Sequence, residues 1–371
     1  MPKSAANRSW SSVLLEHSIV TEHITAQPDR PLSGTMEIAG SDKANHGAET
    51  RPTSQAPFRS CRGASNDHGR RATSPRPEHH TERGGSMSVH VVTGSASGMG
   101  GAVAQKLIAA GHTVVGIDIR AADVVADLST PDGRRSAGTE VLALTEGRLD
   151  GAVMAAGVGP SPGADRPRLL AGVNYLGVVE LLGAWRSALA AAENAKVVAF
   201  SSDSTTTTPM VPRRTVNALL AGDMDKAVRS VRMFGKFAPS IAYAASKIAV
   251  SRWVRQNAVT AAWAGAGIRL NALAPGAVLT PLLERRLGTP DEAKAIRPFP
   301  VPVGGFGEAG QLADWAVFML SESADFLCGS VVFVDGGSDA YFRASDRPRP
   351  VPLPRLANYL MRMRAFTTGR N

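Results

Sequence analysis

Tyr243-Ala-Ala-Ser-Lys247 sets a phenol and an ammonium four residues apart, so on a helix both project from one face into the same cleft. A phenol titrates near pH 10, too high for a general base at neutral pH. A cation at ~4 Å in a medium of effective dielectric ~20 favours the phenolate by about 4 kcal/mol, roughly three pH units, which lets the pair exchange a proton with a substrate oxygen. A second constellation is Val89-His-Val-Val-Thr-Gly-Ser-Ala-Ser-Gly-Met-Gly-Gly101. Gly94, Gly98 and Gly100 allow a sharp turn that also carries Ser97 and Met99, and the free N–H groups of the helix that follows suit a pyrophosphate. Asp118 lies 18 residues beyond Gly100, where a carboxylate accepts from both adenosine ribose hydroxyls and repels a 2′-phosphate, so NAD is expected over NADP. Arg120 is close but does not replace the acid. Asp127 and Leu128 either frame the adenine or form a plain turn.

These groups need strands and helices to hold them. Val89, Val91 and Val92 suit a buried strand, while Val103, Leu107 and Ala110 recur at helical spacing, which puts the glycines on a strand-to-helix turn. Further strands are expected at Thr113–Asp118, Val124–Ala126, Asp150–Ala155, Lys196–Phe200, Ile268–Ala274 and Val331–Val334. The longest helices are expected at Asn174–Ala191, Tyr243–Trp263 and Glu308–Leu320. Strands alternating with helices imply an α/β fold, a doubly wound Rossmann-type parallel sheet covered on both faces.

Composition places that sheet within the chain. Of 371 residues, 43% are hydrophobic, ample for a packed core. Residues 1–86 hold six of the eight histidines and few sustained apolar runs, and are expected to be a disordered extension, with Met87 as a candidate start of the working protein. Nothing in them reads as a secretory signal. The net charge of +9 comes mostly from the last 30 residues, which carry seven arginines against the single acid Asp346. The middle is near neutral, so nucleic-acid binding is not expected. Leu356 to Phe366 mixes apolar residues with Arg362 and Arg364 and could lie on an acidic membrane surface, though a solvated tail is the preferred reading. Cys61 and Cys328 are the only cysteines, too few for a disulfide framework or a zinc cluster, which leaves no metal site expected and fits a reducing cytoplasm. No apolar run reaches the roughly 18 residues that span a bilayer.

Thr93-Gly94-Ser-Ala-Ser-Gly98-Met-Gly100, Ala155-Ala156-Gly157, Asn174, Ser202, Tyr243-x-x-x-Lys247, Pro275-Gly276 and Asp335-Gly336-Gly337 follow one another as in the short-chain dehydrogenase/reductase family, which the chain resembles from residue 87 to about 341. Ala126-Asp-Leu-Ser-Thr-Pro-Asp-Gly-Arg134, Val173-Asn-Tyr-Leu-Gly177 and Arg269-Leu-Asn-Ala-Leu-Ala-Pro-Gly-Ala277 look most like its bacterial 3α-hydroxysteroid dehydrogenase/carbonyl reductase branch. The family's frequent Asn-Asn-Ala-Gly is replaced by Ala155-Ala156-Gly157 after Met154, which removes a side-chain hydrogen bond. The resemblance implies that Tyr243 exchanges the proton and that Lys247 lowers its pKa and holds the nicotinamide ribose. By the same resemblance, Ser202 hydrogen-bonds the substrate oxygen, Asn174 positions a relay water, and Ala156, Gly157, Pro275, Gly276, Val278 and Thr280 line the cofactor. Ser201 is a rival for Ser202, since strand alternation lets only one face the cleft, and the family alignment favours Ser202.

The implied activity is NAD-dependent hydride transfer between nicotinamide and a secondary alcohol or ketone, on a hydroxysteroid or other cyclic carbonyl compound, by a homo-oligomer, a dimer first. The alternative is a catalytically idle NAD-binding module, against which the complete set Asn174, Ser202, Tyr243 and Lys247 argues. Leu282 to Phe306 suits a substrate lid. The 40 residues between Ser202 and Tyr243 exceed what most of the family needs there. Thr215–Ala221 and Asp223–Phe234 are expected as a helical hairpin that shapes the substrate pocket, covers the start of the Tyr243 helix and alters or prevents dimer formation. The organisation is thus an extension over 1–86, a catalytic domain over 87–341 with an insert at about 203–242, and a basic tail over 342–371. A chain beginning at Met87 should keep the melting temperature and activity of the full chain in parallel thermal scans and assays; failure to fold would make the upstream segment structural.

Overall fold

Apolar β-rich runs bounded by turn residues become seven parallel strands in the computed structural model, which describes residues 87–346 and 350–365. The extension expected over 1–86 lies outside the described residues. The strands are β1 (Val89–Thr93), β2 (Thr113–Asp118), β3 (Val124–Val125), β4 (Gly151–Met154), β5 (Lys196–Phe200), β6 (Arg269–Pro275) and β7 (Val331–Val334). They form one sheet in the order β3-β2-β1-β4-β5-β6-β7, in register from His90 beside Val114 and Gly151 to Leu273 beside Val332. The order reverses between β1 and β4, which opens a crevice at the carboxyl ends of these strands, where ligands bind in such sheets.

The sheet is buried on both faces, which explains its continuous apolar runs. Val91, Ala152, Val197 and Leu270 join Leu181, Trp185 and Val250 in one layer. Their neighbours Val92, Val153, Val198 and Leu273 join Leu107, Leu312 and Ala316 in the other. The helices are α1 (Gly98–Ala109), α2 (Pro131–Leu144), α3 (Arg166–Ala171), α4 (Gly177–Ala190), α5 (Arg213–Leu220), α6 (Met224–Val231), α7 (Ala238–Asn257), α8 (Pro281–Leu287), α9 (Pro290–Ile296), α10 (Ala309–Leu320), α11 (Ser338–Arg343) and α12 (Leu356–Arg364); α1 to α7 and α10 supply these layers. None of the described helices is long and apolar enough to cross a membrane.

Two long helices begin elsewhere than their periodicity predicts. α7 starts at Ala238, with a proline in its first turn, and stops at Asn257; Trp263 belongs to the following turn and meets Trp253 edge-on at 5.5 Å. Tyr243 therefore sits in the second turn of its helix. α4 starts at Gly177, and Asn174 lies instead in a π-helical turn over Gly172–Leu176, a widening that periodicity cannot reveal and that recurs at functional sites.

The insert is helical. Gly222 takes φ 74°, and the Asp223 carboxylate accepts from the Lys226 amide at 2.9 Å to cap α6. The second helix ends at Val231 rather than Phe234, because a 3₁₀ stretch over Arg232–Phe237, with Gly235 left-handed, turns the chain into α7. Val216 and Leu219 enter the main core, Val231 and Phe234 pack with Leu170 and Ile241, and Arg168 of α3 pairs with Asp225. The insert thus braces α3 and the start of α7.

At the opposite end of the sheet, His90 of β1 is 5% exposed and meets His112 edge-on at 5.1 Å; neither Nδ1 finds a hydrogen-bond partner among the described residues. Burial, followed by the charge of His112, pushes the His90 pKa down to about 4. A neutral ring carries no penalty above the ordinary pKa of about 6.5, and the penalty grows as pH falls toward 4, reaching about 3 kcal/mol. His90→Gln should therefore flatten the loss of urea-measured stability between these pH values; identical slopes in both proteins would refute the assignment.

Candidate active site

The glycine turn is built so tightly that side chains cannot enter it. Gly94 takes φ 72°, and a Cβ there would stand 2.9 Å from the Ala156 backbone. A Cβ on Gly100 would overlap the Gly94 carbonyl oxygen. The turn hangs on β2 through the Gly94 N–H, which donates to Ile117 O at 2.7 Å, and on β4 through Thr93 Oγ1, which accepts from Ala156 N at 3.0 Å. Ser97 is the extended residue before α1, and Met99 packs against the second layer. Asp118 aims its carboxylate back at the turn, accepting from Ala96 N at 3.1 Å and Ile119 N at 2.8 Å. The space left by the glycines, the exposed helix start and the facing carboxylate fit a dinucleotide.

Other expected cofactor residues differ in how they present themselves. Asp127 accepts from Ser129 N at 2.9 Å and shapes the turn into α2. Leu128 is buried in the core, so only its backbone is left to face an adenine. Arg134 was not anticipated. Buried at 4% exposure, it donates to the Leu128 and Ser129 carbonyls, each at 3.1 Å, and to Glu180 of α4 at 2.6 Å, fixing that loop from below. Pro275 ends β6, and Gly276 N donates to Val334 O at 3.1 Å. Val278 is buried in the short strand Val278–Leu279, which pairs with Gly307–Glu308. Thr280 caps α8 by accepting from Leu283 N at 3.3 Å, and its methyl lies over Gly98.

The four candidate catalytic residues converge. Ser202 follows β5, is buried, accepts from Ser204 N at 3.1 Å and donates to Asp203 Oδ1 at 3.2 Å, and it lies close enough to the Tyr243 phenol to ease its ionisation. Its rival Ser201 turns the other way, donating to Lys247 O at 3.2 Å and meeting Ser251 Oγ at 2.7 Å. Lys247 is 5% exposed and donates to Phe200 O at 2.8 Å. Asn174 pairs with both backbone groups of Val158, at 2.8 and 3.0 Å. Gly157 lies between Asn174 and Lys247; a Cβ there would stand 3.4 Å from Asn174 Oδ1 and 3.8 Å from Lys247 Nζ.

Burial pushes the Tyr243 phenol above its usual value, Ser202 opposes this, Asp203 adds to it and Arg286 opposes it. The Lys247 ammonium is itself pushed down to about 8 by burial. Spacing showed that phenol and ammonium share a helix face, but not that Lys247 would be turned onto a strand-end carbonyl.

The lid segment folds as α8 and α9. Leu282 packs against Gly159, whose carbonyl accepts from Arg166 Nε at 2.7 Å, and Arg286, one turn beyond Leu282, pairs with Glu292 at 2.5 Å. Arg166, Arg286 and Asp203 carry no motif, so only assembly reveals them. A cavity of about 590 Å³ is lined by Val303, Trp315 and Asp335 together with Gly276 and Val278 of the expected cofactor set.

A switch-point crevice with a glycine turn, a strand-end acid and a Ser–Tyr–Lys group defines a nicotinamide-dinucleotide oxidoreductase. Comparisons agree. The NAD dependent epimerase/dehydratase family model matches residues 90–274, and the Enoyl-(Acyl carrier protein) reductase model matches residues 226–339. The 3-alpha-hydroxysteroid dehydrogenase/carbonyl reductase of Comamonas testosteroni is 40% identical over 260 residues, covering 69% of this chain and 98% of that protein. The crystal structure of the 3-alpha-hydroxysteroid dehydrogenase from Pseudomonas sp. B-0831 complexed with NADH has a TM-score of 0.65 at 43% identity, covering 70% of this chain and 99% of that one. Ligand-free aldohexose dehydrogenase from Thermoplasma acidophilum, at 20% identity and a TM-score of 0.54 over 72% of this chain and 97% of that one, shares the fold. The chain belongs to the short-chain dehydrogenase/reductase family and is an NAD(P)-dependent oxidoreductase.

Tyr243→Phe keeps the ring and removes the oxygen that carries the proton. Turnover should fall by about 10²–10⁴-fold while NADH binding, followed by fluorescence titration, is retained. Activity near that of the native enzyme would place the proton transfer elsewhere.

Proposed function

We propose that this enzyme uses NAD to interconvert a secondary alcohol and its ketone, with a hydroxysteroid or another cyclic carbonyl compound as substrate. The carrying observation is the bond from Lys247 Nζ to Phe200 O at 2.8 Å, which sets the helix of Tyr243 against the strand end that carries Ser202, beside the crevice walled by the glycine turn. The dinucleotide, when bound, supplies or accepts the hydride. Tyr243 gives its proton to the substrate oxygen in reduction and takes it back in oxidation. Ser202 steadies the charge that develops on that oxygen in a site largely closed to water. Lys247, with one proton committed to Phe200 O, has two left for ribose hydroxyls. Asn174, tied to Val158 on one side, keeps a lone pair and a proton with which to hold a relay water.

Gly94, Ser97, Gly98, Met99, Gly100, Asp118, Asp127, Leu128, Ala156, Gly157, Pro275, Gly276, Val278 and Thr280 are the cofactor surface in this reading. Residues 87–341 are the catalytic domain, with the helical insert inside it, between an N-terminal extension and a basic tail. The working form is a cytoplasmic homo-oligomer, a dimer; Trp315 and Phe318, edge-on at 6.1 Å on the outer side of α10 and both nearly half exposed, are apolar surface available to a second copy. The hydroxysteroid reading draws on the two relatives above 39% identity.

An absorbance assay of NADH across a panel of secondary alcohols and cyclic ketones tests the activity, and no turnover on any of them would favour an idle binding module. Because Asp118 accepts from ribose hydroxyls and repels a 2′-phosphate, kcat/KM should favour NAD over NADP by at least about tenfold, or ~1.4 kcal/mol. Equal use of both would refute the role of Asp118.

A further inference from the structure

Asp203 directly follows Ser202 and is as deeply buried, at 7% exposure for each, yet the proton exchange described above makes no use of it. Ser202 Oγ donates to Asp203 Oδ1 at 3.2 Å, while Oδ2 is buried with no hydrogen-bond partner among the described residues. The surroundings are acidic. From the exit of β7 comes Asp335, its carboxylate held by the Gly337 and Asp339 amides at 3.0 and 2.7 Å. From α11 comes Asp339, 3.7 Å from the Arg343 guanidinium, with its Oδ1 also buried and without a hydrogen bond. From α7 comes the Tyr243 phenol, on which the charge of Asp203 acts, with Lys247 turned to Phe200 O. On its own turn, Ser204 Oγ is buried and unpartnered among the described residues.

A serine hydroxyl has one proton to donate. In this site the Asp203 carboxylate, the Tyr243 oxygen and the substrate oxygen on which charge develops compete for it. While Asp203 is ionised, the proton points at Oδ1 and Ser202 offers the substrate only a lone pair. When Asp203 is neutral it is a far poorer acceptor, and the Ser202 proton is released toward the substrate. We propose that Asp203 is a positioning residue that decides where the Ser202 proton points, so that a proton taken up by Asp203 from solvent turns Ser202 from acceptor to donor toward the substrate oxygen. The inference rests on the roles proposed for Ser202 and Tyr243. Burial first, then the like charges of Asp335 and Asp339, push the Asp203 carboxyl up to about 6 against the Ser202 hydrogen bond, so the exchange falls just below neutral pH.

Asp203→Asn removes the charge and keeps the shape, and Asp203→Val removes the acceptor. In ketone reduction, kcat/KM of the native enzyme should show an additional rise of at least about fivefold as pH falls through about 6. Both variants should lack that step and exceed the native enzyme by a similar factor near pH 8; one oxyanion donor carries about 10²–10³-fold in related settings, so the effect is well within reach. An unchanged step in both variants, or variants that fold and bind NADH yet fall below the native enzyme at every pH, would overturn the proposal. A second measurement needs neither cofactor nor turnover. In ultraviolet difference titrations of the cofactor-free protein, the phenol step that Tyr243→Phe removes should move to lower pH in Asp203→Asn, because Asp203 opposes the phenolate. A step that stays in place would overturn it. Should the native enzyme turn over none of the panel, the catalytic reading fails, and the titration still decides for or against Asp203.

Discussion

A buried ammonium must find an acceptor, and Lys247 finds the Phe200 carbonyl 2.8 Å away. Uncompensated, such a charge would cost several kcal/mol of desolvation. The bond ties α7 to the end of β5. Ser202 lies two residues past that carbonyl and Tyr243 one helical turn before the lysine, so one contact brings the two hydroxyls together. Ser201, on the opposite side of the same strand end, reinforces the joint through Lys247 O and Ser251. Binding and catalytic groups therefore share a single seam between helix and sheet.

The cofactor cradle is governed by the same economy of space. β1 and β4 run side by side with Thr93 beside Met154, and the chain leaves both strands at the same height. Gly94 then has to pass the Ala156 backbone with no room for a side chain. Beneath the neighbouring turn, Arg134 holds the Leu128 and Ser129 carbonyls and pairs with Glu180. A guanidinium with three sets of acceptors is satisfied in a place where most charges would be costly. Across from these supports, the segment after Thr280 is tied to the exit of β7 and to α11 through Val303 N to Gly336 O at 3.1 Å, Ser338 Oγ to Pro300 O at 2.7 Å and the Phe299–Phe342 contact.

Charge in the cleft is set by neighbours that no motif announces. The phenol is raised by burial and by Asp203, and eased by Ser202 and Arg286. Arg286 comes from α8, so the placement of that helix bears on the acidity of Tyr243. Asp203 comes from the floor, where two further carboxylates hold its proton affinity up. The Tyr243 phenol is thus exposed to the cationic Arg286 on one side and to Asp203 on the other, itself flanked by Asp335 and Asp339.

The sequence by itself determined the seven strands, their parallel winding, the glycine turn, Asp118 and the pairing of Tyr243 with Lys247, because each depends on local pattern: β-branched runs, residues without a Cβ, and side chains at helical spacing; the choice of Ser202 over Ser201 came from the family resemblance. It also determined that the 40 residues after Ser202 form helices, since Gly222 and Asp223 mark a boundary in any context. The tertiary structure decided the rest. The start of α7 at Ala238 and the π-turn that carries Asn174 depend on packing against the insert and α3, which periodicity does not encode. Leu128 went to the core, and Lys247 turned to a backbone carbonyl. Arg134, Arg286 and Asp203 acquired their roles only when distant segments met, because hydrogen-bond partners and desolvation are properties of the assembled interior and not of neighbouring residues in the chain.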